Sequence, residues 1–363
     1  MRILQVVNDM HRAGLETMLM NYYRNIDRDK IQFDFLTHRP YKSDYDDEIL
    51  SMGGKMFYAP RLYPQNYPQY FRWAQKFFKE HPEYKIIHSH IDAMSYLPLC
   101  AAKRAGVPIR IAHSHNTSID RDFKYPLKQL FRKQLVKVAN EYCACGDEAG
   151  KFLFGERDFK IIPNAIEIDK FMFDNRIREE MRKNLGLEGQ FVVGHVGRLS
   201  YQKNHGFLID IFNEILKKSD KYKLLLIGSG PLEEKIREKI KTYGIEKNII
   251  MKKNITNVNE YMHASDLFVL PSLYEGLPVV GVEAQCADLP CIFSNEVTEE
   301  AKILETTNFL SIDNKEIWIE EILKQKNKER KSRISEMIEK GYKIEEATIK
   351  LEKIYNDLVN LEE

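Results

Sequence analysis

Short apolar segments alternate with helix-like segments along this chain, in two separate series. The first series is RILQVV, FDFLT, KIIHSH, IRIAH, EYCACG and FKIIPN, between residues 2 and 164. The second is FVVGHVGR, KLLLIGSG, NIIMKK, DLFVLPS and PCIFS, between residues 191 and 294. Strands that alternate with helices form parallel sheets covered on both faces. The chain is therefore predicted to be α/β, with two doubly wound Rossmann-like domains facing across a cleft.

A Pro-Asn turn ends the first series, and the charged segment NRIREEMRKNLGL follows it. Such a turn followed by a charged helix is typical of a domain boundary. The length of 363 residues also indicates two domains rather than one. The sequence predicts an N-terminal domain over residues 1–167 and a C-terminal domain over residues 168–342.

The composition is that of an ordinary globular protein, with 43% apolar residues, 30% charged residues and a net charge of +1. It argues against a disordered or nucleic-acid-coating chain. The apolar run at the N-terminus is too short for a signal peptide, and no run approaches the roughly 18 residues of a membrane span. We therefore expect a cytoplasmic protein. The five cysteines form no C-x2-C pair and are expected to be buried free thiols.

The segment PSLYEGLPVVGVEAQCADLP, residues 271–290, follows an apolar strand and carries the most specific pattern. Pro278 suits the first turn of a helix, where backbone N–H groups point outward and bind anions such as phosphate. Glu275 and Glu283 are separated by seven residues, and carboxylates in this arrangement suit sugar hydroxyls. A solvated helix surface is the alternative for the two glutamates. The N–H groups expected at the helix start are those of Gly276, Leu277, Val279 and Val280.

Basic residues follow another strand, in HVGRLSYQKN. Arg198 and Lys203 at a strand end would neutralise a diphosphate without a metal ion, although solvated positions are the alternative for each residue alone. The segment GSGP adds Gly228 and Gly230, a tight turn that allows close backbone approach. A lone G-x-G is weak evidence, and a turn without a ligand explains it nearly as well.

Together these motifs resemble the retaining glycosyltransferases of GT-B fold, in particular glycosyltransferase family 4 and its exopolysaccharide and capsule members. The resemblance covers nearly the whole chain through HRAGLE, IPNAIEI, GRLSYQK, GSGP and the E-x7-E motif followed by LPCI. It implies that a nucleotide sugar, commonly UDP- or GDP-linked with UDP favoured, binds the C-terminal domain. It also implies an acceptor side on the N-terminal domain and a last helix, about residues 343–363, that packs back on that domain.

The resemblance also implies a role for each motif residue. Arg198 and Lys203 would hold the diphosphate, and Glu283 would bind the ribose hydroxyls. Glu275 becomes a catalytic candidate that contacts the donor sugar, and Gly14 would bring its N–H to the phosphates. The donor-binding residues predicted in this way are Gly14, Arg198, Lys203, Gly228, Gly276, Leu277, Pro278, Val279, Val280 and Glu283. No metal or other cofactor is expected.

Four positions depart from the family pattern, and none is a charged site residue. Ala13 precedes Gly14 where a glycine pair is usual, and Ala165 replaces a glycine after Pro-Asn. Asn204 stands where glycine is common. Asp288 stands where a helix-ending glycine is expected, and aspartate partly tolerates the left-handed conformation required there.

Two His-Ser-His segments end neighbouring apolar runs, with His88 and His90 in the first and His113 and His115 in the second. Side chains two residues apart on a strand share a face, so both members of a pair could line the cleft. We take His113 and His115 as catalytic candidates that hydrogen-bond the donor sugar or the incoming hydroxyl, without choosing between them. A metal site is the disfavoured alternative, because the segments carry no accompanying carboxylate motif.

Residues 121–140 carry six basic side chains against one acidic side chain, with apolar residues at helical spacing. A solvated basic face is the simple interpretation. A peripheral contact with anionic lipid at the inner face of the cell membrane is the sharper hypothesis.

The predicted function is transfer of a sugar, with retention, to a saccharide or lipid-linked acceptor in bacterial surface-polysaccharide synthesis. An NAD-type Rossmann oxidoreductase is disfavoured because neither VVNDMHRAGLE nor HVGRLSYQKN has G-x-G-x-x-G after its strand. A non-catalytic scaffold that keeps the fold is the third interpretation. Nucleic acid is not an expected partner.

Overall fold

The structure is a computed structural model that describes residues 1–119, 124–253, 255–325, 330 and 332–361. The chain divides into two compact units. Unit 1 comprises Met1–Ala165 together with Ile344–Glu363, and unit 2 comprises Ile166–Lys343. Residues 362 and 363 of the predicted last helix lie outside the described residues.

Unit 1 contains a seven-stranded parallel sheet in the order β3-β2-β1-β4-β5-β6-β7. Its strands are β1 Arg2–Val6, β2 Gln32–Thr37, β3 Met56–Tyr58, β4 Ile86–Ser89, β5 Ile109–Ser114, β6 Glu141–Ala144 and β7 Lys160–Ile161. Its helices are α1 Gly14–Asn25, α2 Asp46–Ser51, α3 Tyr67–Glu80, α4 Tyr96–Arg104, α5 Tyr125–Leu135, α6 Asp147–Phe154 and α15 Ile344–Asn360.

The core of unit 1 forms because the central strands are buried on both faces and helices cover them. Helix α3 shows how the pattern works: Tyr70, Ala74 and Phe77 recur at helical spacing and are buried, while the intervening charged residues stay in solvent. Helix α15 joins the same unit, and its buried Tyr355 packs edge-to-face on Phe33 of β2 with ring centroids 6.0 Å apart. The C-terminal residues thus complete the first unit.

Unit 2 contains a six-stranded parallel sheet in the order β10-β9-β8-β11-β12-β13. Its strands are β8 Phe191–Val196, β9 Tyr222–Ile227, β10 Ile249–Lys252, β11 Leu267–Leu270, β12 Cys291–Ser294 and β13 Thr307–Leu310. Its helices are α7 Ile168–Phe171, α8 Asn175–Asn184, α9 His205–Lys218, α10 Glu233–Tyr243, α11 Val258–Ala264, α12 Val279–Cys286, α13 Lys315–Lys324 and α14 Ile334–Glu339.

Unit 2 holds its N-terminal charged helix through a buried carboxylate. Arg178 and Arg182 are on one face of α8, four residues apart, and both pair with Asp266 at the start of β11. Asp266 also accepts a hydrogen bond from the Val192 backbone at 2.7 Å, which ties β8 to the same point. A carboxylate with this many charge-assisted partners fixes the segment that the sequence marks as a linker.

The predicted α/β class with two doubly wound parallel sheets is confirmed. All five cysteines are buried free thiols, as expected. Within the described part of the chain, every helix is too short or too polar to span a bilayer.

Candidate active site

The loops after β8 and β9 touch each other at glycines. Gly228 has φ +149°, and a Cβ placed there would lie 2.0 Å from the carbonyl oxygen of Gly197. Only glycine permits this contact, because any side chain would collide with backbone. The Leu199 N–H also donates to the Ser229 carbonyl at 2.9 Å. The GSGP turn therefore positions the backbone on both sides of Arg198.

The short turn Tyr201–Lys203, which follows this loop, is hydrogen-bonded to the loop after β11. The Leu273 N–H donates to the Gln202 carbonyl at 2.8 Å, and the Gln202 side-chain amide donates to the Tyr274 carbonyl at 3.0 Å. Two reciprocal hydrogen bonds fix the relative position of the two loops. The next residue of each loop, Lys203 and Glu275, is a charged residue predicted for the site.

Lys203 and Glu275 form an ion pair, with Nζ 2.5 Å from Oε1. Their side chains are only 14% and 10% exposed, so the pair is largely withdrawn from water. Removal of either charge from such an environment would leave the other buried without its ionic partner, which is strongly destabilising. The stem of Lys203 lies against Gly197, where an added Cβ would meet its carbons at 3.2 Å. The structure thus joins two residues that the sequence analysis placed on separate motifs.

Helix α12 begins at Val279, one residue later than the sequence analysis implies. The prediction that Pro278 occupies the first turn is wrong: Pro278 has ψ 118° and caps the helix from an extended conformation. The N–H groups of Gly276 and Leu277 therefore belong to the preceding loop, and the helix start offers those of Val279 and Val280.

Glu283 is in the middle of α12, a helix buried on almost every side. The solvated-surface interpretation of the two glutamates is therefore wrong, since Glu275 and Glu283 as whole residues are 8% and 9% exposed. Burial raises the pKa of Glu283 to about 8, and Lys170 of α7 offsets part of that rise. The Glu283 carboxyl group therefore changes its protonation state near pH 8.

Other predicted positions are more exposed. The Arg198 side chain faces solvent, which agrees with the solvated alternative for that residue. Gly14 is the first residue of α1 and is exposed, so its N–H is at a helix start. Asn204 and Asp288, two of the departures from glycine, have φ +52° and +51°. The expectation that Asp288 adopts the left-handed conformation is confirmed.

The four histidines of unit 1 form one cluster at the ends of β4 and β5, which are adjacent strands. The rings of His113 and His115 stack with centroids 4.0 Å apart, and those of His88 and His90 are 4.2 Å apart. The prediction that residues two apart share a face is confirmed. His113 is fully buried, whereas His115 is partly exposed.

Hydrogen bonds link the two strands through these rings. His88 Nε2 is 3.0 Å from His113 Nδ1, and His90 Nδ1 is 3.0 Å from His115 Nε2. Burial lowers the pKa of His88 and of His115 to about 3, and lowers those of His90 and His113 well below the usual range. The cluster is therefore neutral at physiological pH, and its rings act through hydrogen bonds rather than charge.

Comparison with known proteins gives the family. Residues 12–170 match the model "Glycosyltransferase Family 4", and residues 177–343 match the model "Glycosyl transferases group 1". EpsF of Bacillus subtilis (strain 168), a protein assigned as a glycosyltransferase, is 38% identical over 308 residues, which cover 82% of this chain and 80% of EpsF.

The chain belongs to glycosyltransferase family 4.

Two further matches concern a relative in sequence and a solved structure of the same fold. The capsular polysaccharide biosynthesis glycosyltransferase CapH of Staphylococcus aureus is 27% identical over 307 residues, covering 81% of each chain. The crystal structure of Anabaena Alr3699/HepE in complex with UDP-glucose superposes with a TM-score of 0.81 at 16% identity, covering 98% of this chain and 100% of that one. The GT-B fold class predicted for this family 4 chain is confirmed.

The histidine cluster of this family 4 chain also bears on the metal question. One ring nitrogen from each of His88, His90 and His113 lies within 4.8 Å of the others. Imidazole nitrogens are good ligands for zinc. Here the histidines contact one another through nitrogens at hydrogen-bond distance, so a metal ion would have to replace those bonds. The expectation that no metal is needed stays a prediction.

Sequence reasoning missed Asp92, which follows the first His-Ser-His segment. Its carboxylate accepts the backbone N–H of His115 at 2.8 Å and the side-chain amide of Asn116 at 2.8 Å. Its backbone has φ +45°, an uncommon conformation for a residue other than glycine. Asp92 thus fixes the direction in which the chain leaves β5. A lone aspartate after a histidine pair gives no spacing signal that would have found it.

The basic segment predicted over residues 121–140 contains α5, while residues 121–123, including Arg121, lie outside the described residues. Arg132 is over the Phe152 ring at 4.3 Å, and Lys124 is over the Tyr63 ring at 4.3 Å. Part of the basic charge therefore has intramolecular contacts. The proposed lipid contact stays a prediction.

Proposed function

We propose that this family 4 chain transfers a sugar, with retention and without a metal ion, from a UDP-sugar to a saccharide or lipid-linked acceptor in bacterial surface-polysaccharide synthesis. The observation that carries the proposal is the buried Lys203–Glu275 ion pair beside the start of α12. The UDP-glucose complex of the structural neighbour and the capsular role in the name of CapH support the donor and the pathway.

In the proposed reaction, negative charge develops on the departing diphosphate. Lys203 and Arg198 neutralise that charge, and the backbone N–H groups of Val279 and Val280 add partial positive charge from the helix start. Glu275 keeps the Lys203 ammonium in place through the ion pair described above. Stabilising the leaving group in this way favours an oxocarbenium-like transition state without a strong base.

Glu283 would bind the ribose through its two oxygens. Because burial raises its pKa to about 8, the group is mostly protonated before the nucleotide arrives. Two ribose hydroxyls that donate hydrogen bonds would favour the carboxylate, so nucleotide binding is expected to release a proton. This makes the pH dependence of binding a direct probe of the ribose site.

A thermal-shift screen tests the donor class. UDP and UDP-sugars at 100 times their dissociation constant should stabilise the chain by about 2.7 kcal/mol, whereas NAD should not. Stabilisation by NAD alone would favour the oxidoreductase, and the absence of any nucleotide effect would favour the scaffold.

Turnover experiments test the chemistry. Proton NMR of the product should show the anomeric configuration of the donor sugar, and an inverted product contradicts retention. EDTA should leave activity unchanged. Strong inhibition that is reversed by added divalent cation would refute the metal-free mechanism.

A further inference from the structure

The four histidines are parts of a longer hydrogen-bonded chain that ends on the C-terminal helix. Tyr355 of α15 is 2.7 Å from His88 Nδ1 through its hydroxyl, and His88 Nε2 is 3.0 Å from His113 Nδ1. His113 Nε2 is buried and has no hydrogen-bond partner among the described residues. This first branch therefore runs from α15 through β4 to β5.

A second branch begins at the same hydroxyl. The Gln5 amide of β1 donates to Tyr355 at 3.3 Å, and Gln5 Oε1 is 2.8 Å from His90 Nε2. His90 Nδ1 is 3.0 Å from His115 Nε2. Gln5 has no exposed surface, and both ends of its amide contact protein groups. Both branches thus meet at the Gln5–Tyr355 contact.

The Gln5 amide dictates the proton positions on the second branch, because an amide oxygen only accepts and an amide nitrogen only donates. His90 must donate its Nε2–H to the Gln5 oxygen. A neutral His90 then accepts at Nδ1, so His115 donates its Nε2–H. His115 is left with an Nδ1 lone pair.

The same amide sets the first branch through Tyr355. Among the described residues the Tyr355 hydroxyl contacts Gln5, which donates to it, and His88 Nδ1. The buried hydroxyl needs an acceptor for its own proton, so the proton goes to His88 Nδ1. His88 donates its Nε2–H to His113 Nδ1, which leaves the proton of His113 on Nε2. All four rings consequently carry the proton on Nε2.

We infer that Gln5 and Tyr355 are positioning residues that hold His88, His90, His113 and His115 as one tautomeric unit, with an N–H on His113 Nε2 and a lone pair on His115 Nδ1. The buried, unpartnered His113 Nε2 is what such a unit offers to a ligand. A donor and an acceptor on stacked rings fit a sugar hydroxyl, which accepts one hydrogen bond and donates another. This last step rests on the proposed function.

Nitrogen-15 NMR of histidine-labelled protein at pH 7.5 tests the tautomers without any assay of activity. The four rings should show protonated Nε2 and bare Nδ1. His38 and His195 provide internal references of the opposite kind, because each contacts a backbone carbonyl through Nδ1, at 3.0 and 2.8 Å. A spectrum in which any ring of the cluster shows Nδ1–H overturns the assignment.

Tyr355→Phe separates the two branches while keeping the aromatic ring in the core. His88 and His113 should become mixtures of both tautomers, whereas His90 and His115 should keep Nε2–H through Gln5. Gln5→Met should disorder the tautomers of both branches, because the Gln5 amide contacts Tyr355 as well as His90. Unchanged tautomers in both variants would refute the inference, and so would an equal change in all four rings of Tyr355→Phe.

Kinetics then test the consequence for substrate. Each variant should lower kcat/KM roughly tenfold, because a factor of ten corresponds to the free energy of about one hydrogen bond. The nucleotide affinity of unit 2 should not change. Phe33→Leu, which alters the packing beside Tyr355 without touching the chain of hydrogen bonds, is the matched control and should leave the tautomers intact. If the wild type has the assigned tautomers and the variants lose them without any change in kcat/KM, the link to substrate is overturned. Absence of transfer by the wild type would instead count against the proposed function.

Discussion

The two units of this family 4 chain place different kinds of polar group at their strand ends. Unit 1 gathers four neutral histidines that bond to one another, whereas unit 2 holds a buried ion pair and a buried carboxyl group. The first arrangement keeps its shape through the direction of hydrogen bonds, and the second through charge. The comparison teaches that the same sheet topology supports either solution, and that the two should respond oppositely to pH.

The largest expected effect is loss of stability of unit 1 in acid. The folded unit keeps its histidines neutral, with the pKa of His88 and of His115 lowered to about 3, while the unfolded chain binds protons below about pH 6.5. Unfolding therefore takes up protons, and the free energy of unfolding falls as the pH drops from about 6.5 toward 3. Each histidine contributes up to about 1.4 kcal/mol per pH unit.

The double variant His88→Asn, His90→Gln isolates this effect. It should be less stable than the wild type at pH 7.5, because hydrogen bonds are lost, yet lose less stability on acidification. Urea unfolding between pH 7.5 and 5 measures both slopes. Parallel curves for the two proteins would show that the cluster does not cause the acid sensitivity.

Glu283→Gln should produce the opposite pH effect in unit 2. The pKa of Glu283 is raised to about 8, so the folded state keeps a proton that the unfolded chain has lost. The wild type therefore loses stability as the pH rises from about 4.5 to 8, by at most about 5 kcal/mol. The variant should be the more stable protein at pH 8 and equal to the wild type near pH 4.5.

The same variant should bind UDP more weakly, because a neutral amide replaces the carboxylate proposed to bind ribose. Thermal melts across pH and calorimetry with UDP measure the two effects. A variant that gains stability yet binds UDP normally would separate the buried carboxyl from the donor site.

Lys203→Ala should cost about 2 to 4 kcal/mol of transition-state stabilisation, since it removes the ammonium and leaves Glu275 buried without it. Comparison of kcat/KM for wild type and variant measures the loss. Lys239→Ala is the matched control, because Lys239 pairs with Asp210 at 2.7 Å on a more exposed surface of the same unit. Equal losses in both variants would indicate a structural rather than a catalytic role.

The smallest effect is expected from Lys128, Arg132 and Lys133 changed together to Glu. Folding and soluble turnover should change little, because these side chains are outside the buried core of unit 1. Flotation with anionic vesicles at low salt should decrease. Unchanged flotation would remove the lipid contact from the proposal.

Local motifs were sufficient to predict much of unit 2. Glu275 and Glu283 follow β11 within a single stretch of sequence, and Gly228 follows β9, so period and turn chemistry are enough to locate each of them after a strand. The Lys203–Glu275 pair was not predicted because its members are 72 residues apart, and each motif alone indicates a ligand rather than a partner.

Unit 1 shows the limit of the same reasoning. His113 and His115 were found from their position at a strand end. Tyr355 was not, because it lies 267 residues from His88 and its apolar neighbours mark it only as a core residue of a C-terminal helix. Hydrogen bonds between distant elements leave no periodic trace in a sequence.

The return of α15 to unit 1 sets an order of events during synthesis. The ribosome must translate all of residues 166–343 before Tyr355 exists to join His88. At about 5 to 20 residues per second, that interval is roughly 10 to 35 s. The nascent first unit spends this time without its final helix, while the second, continuous unit can already fold. Translation speed and chaperone access during that interval should therefore affect how much of the chain completes its first unit.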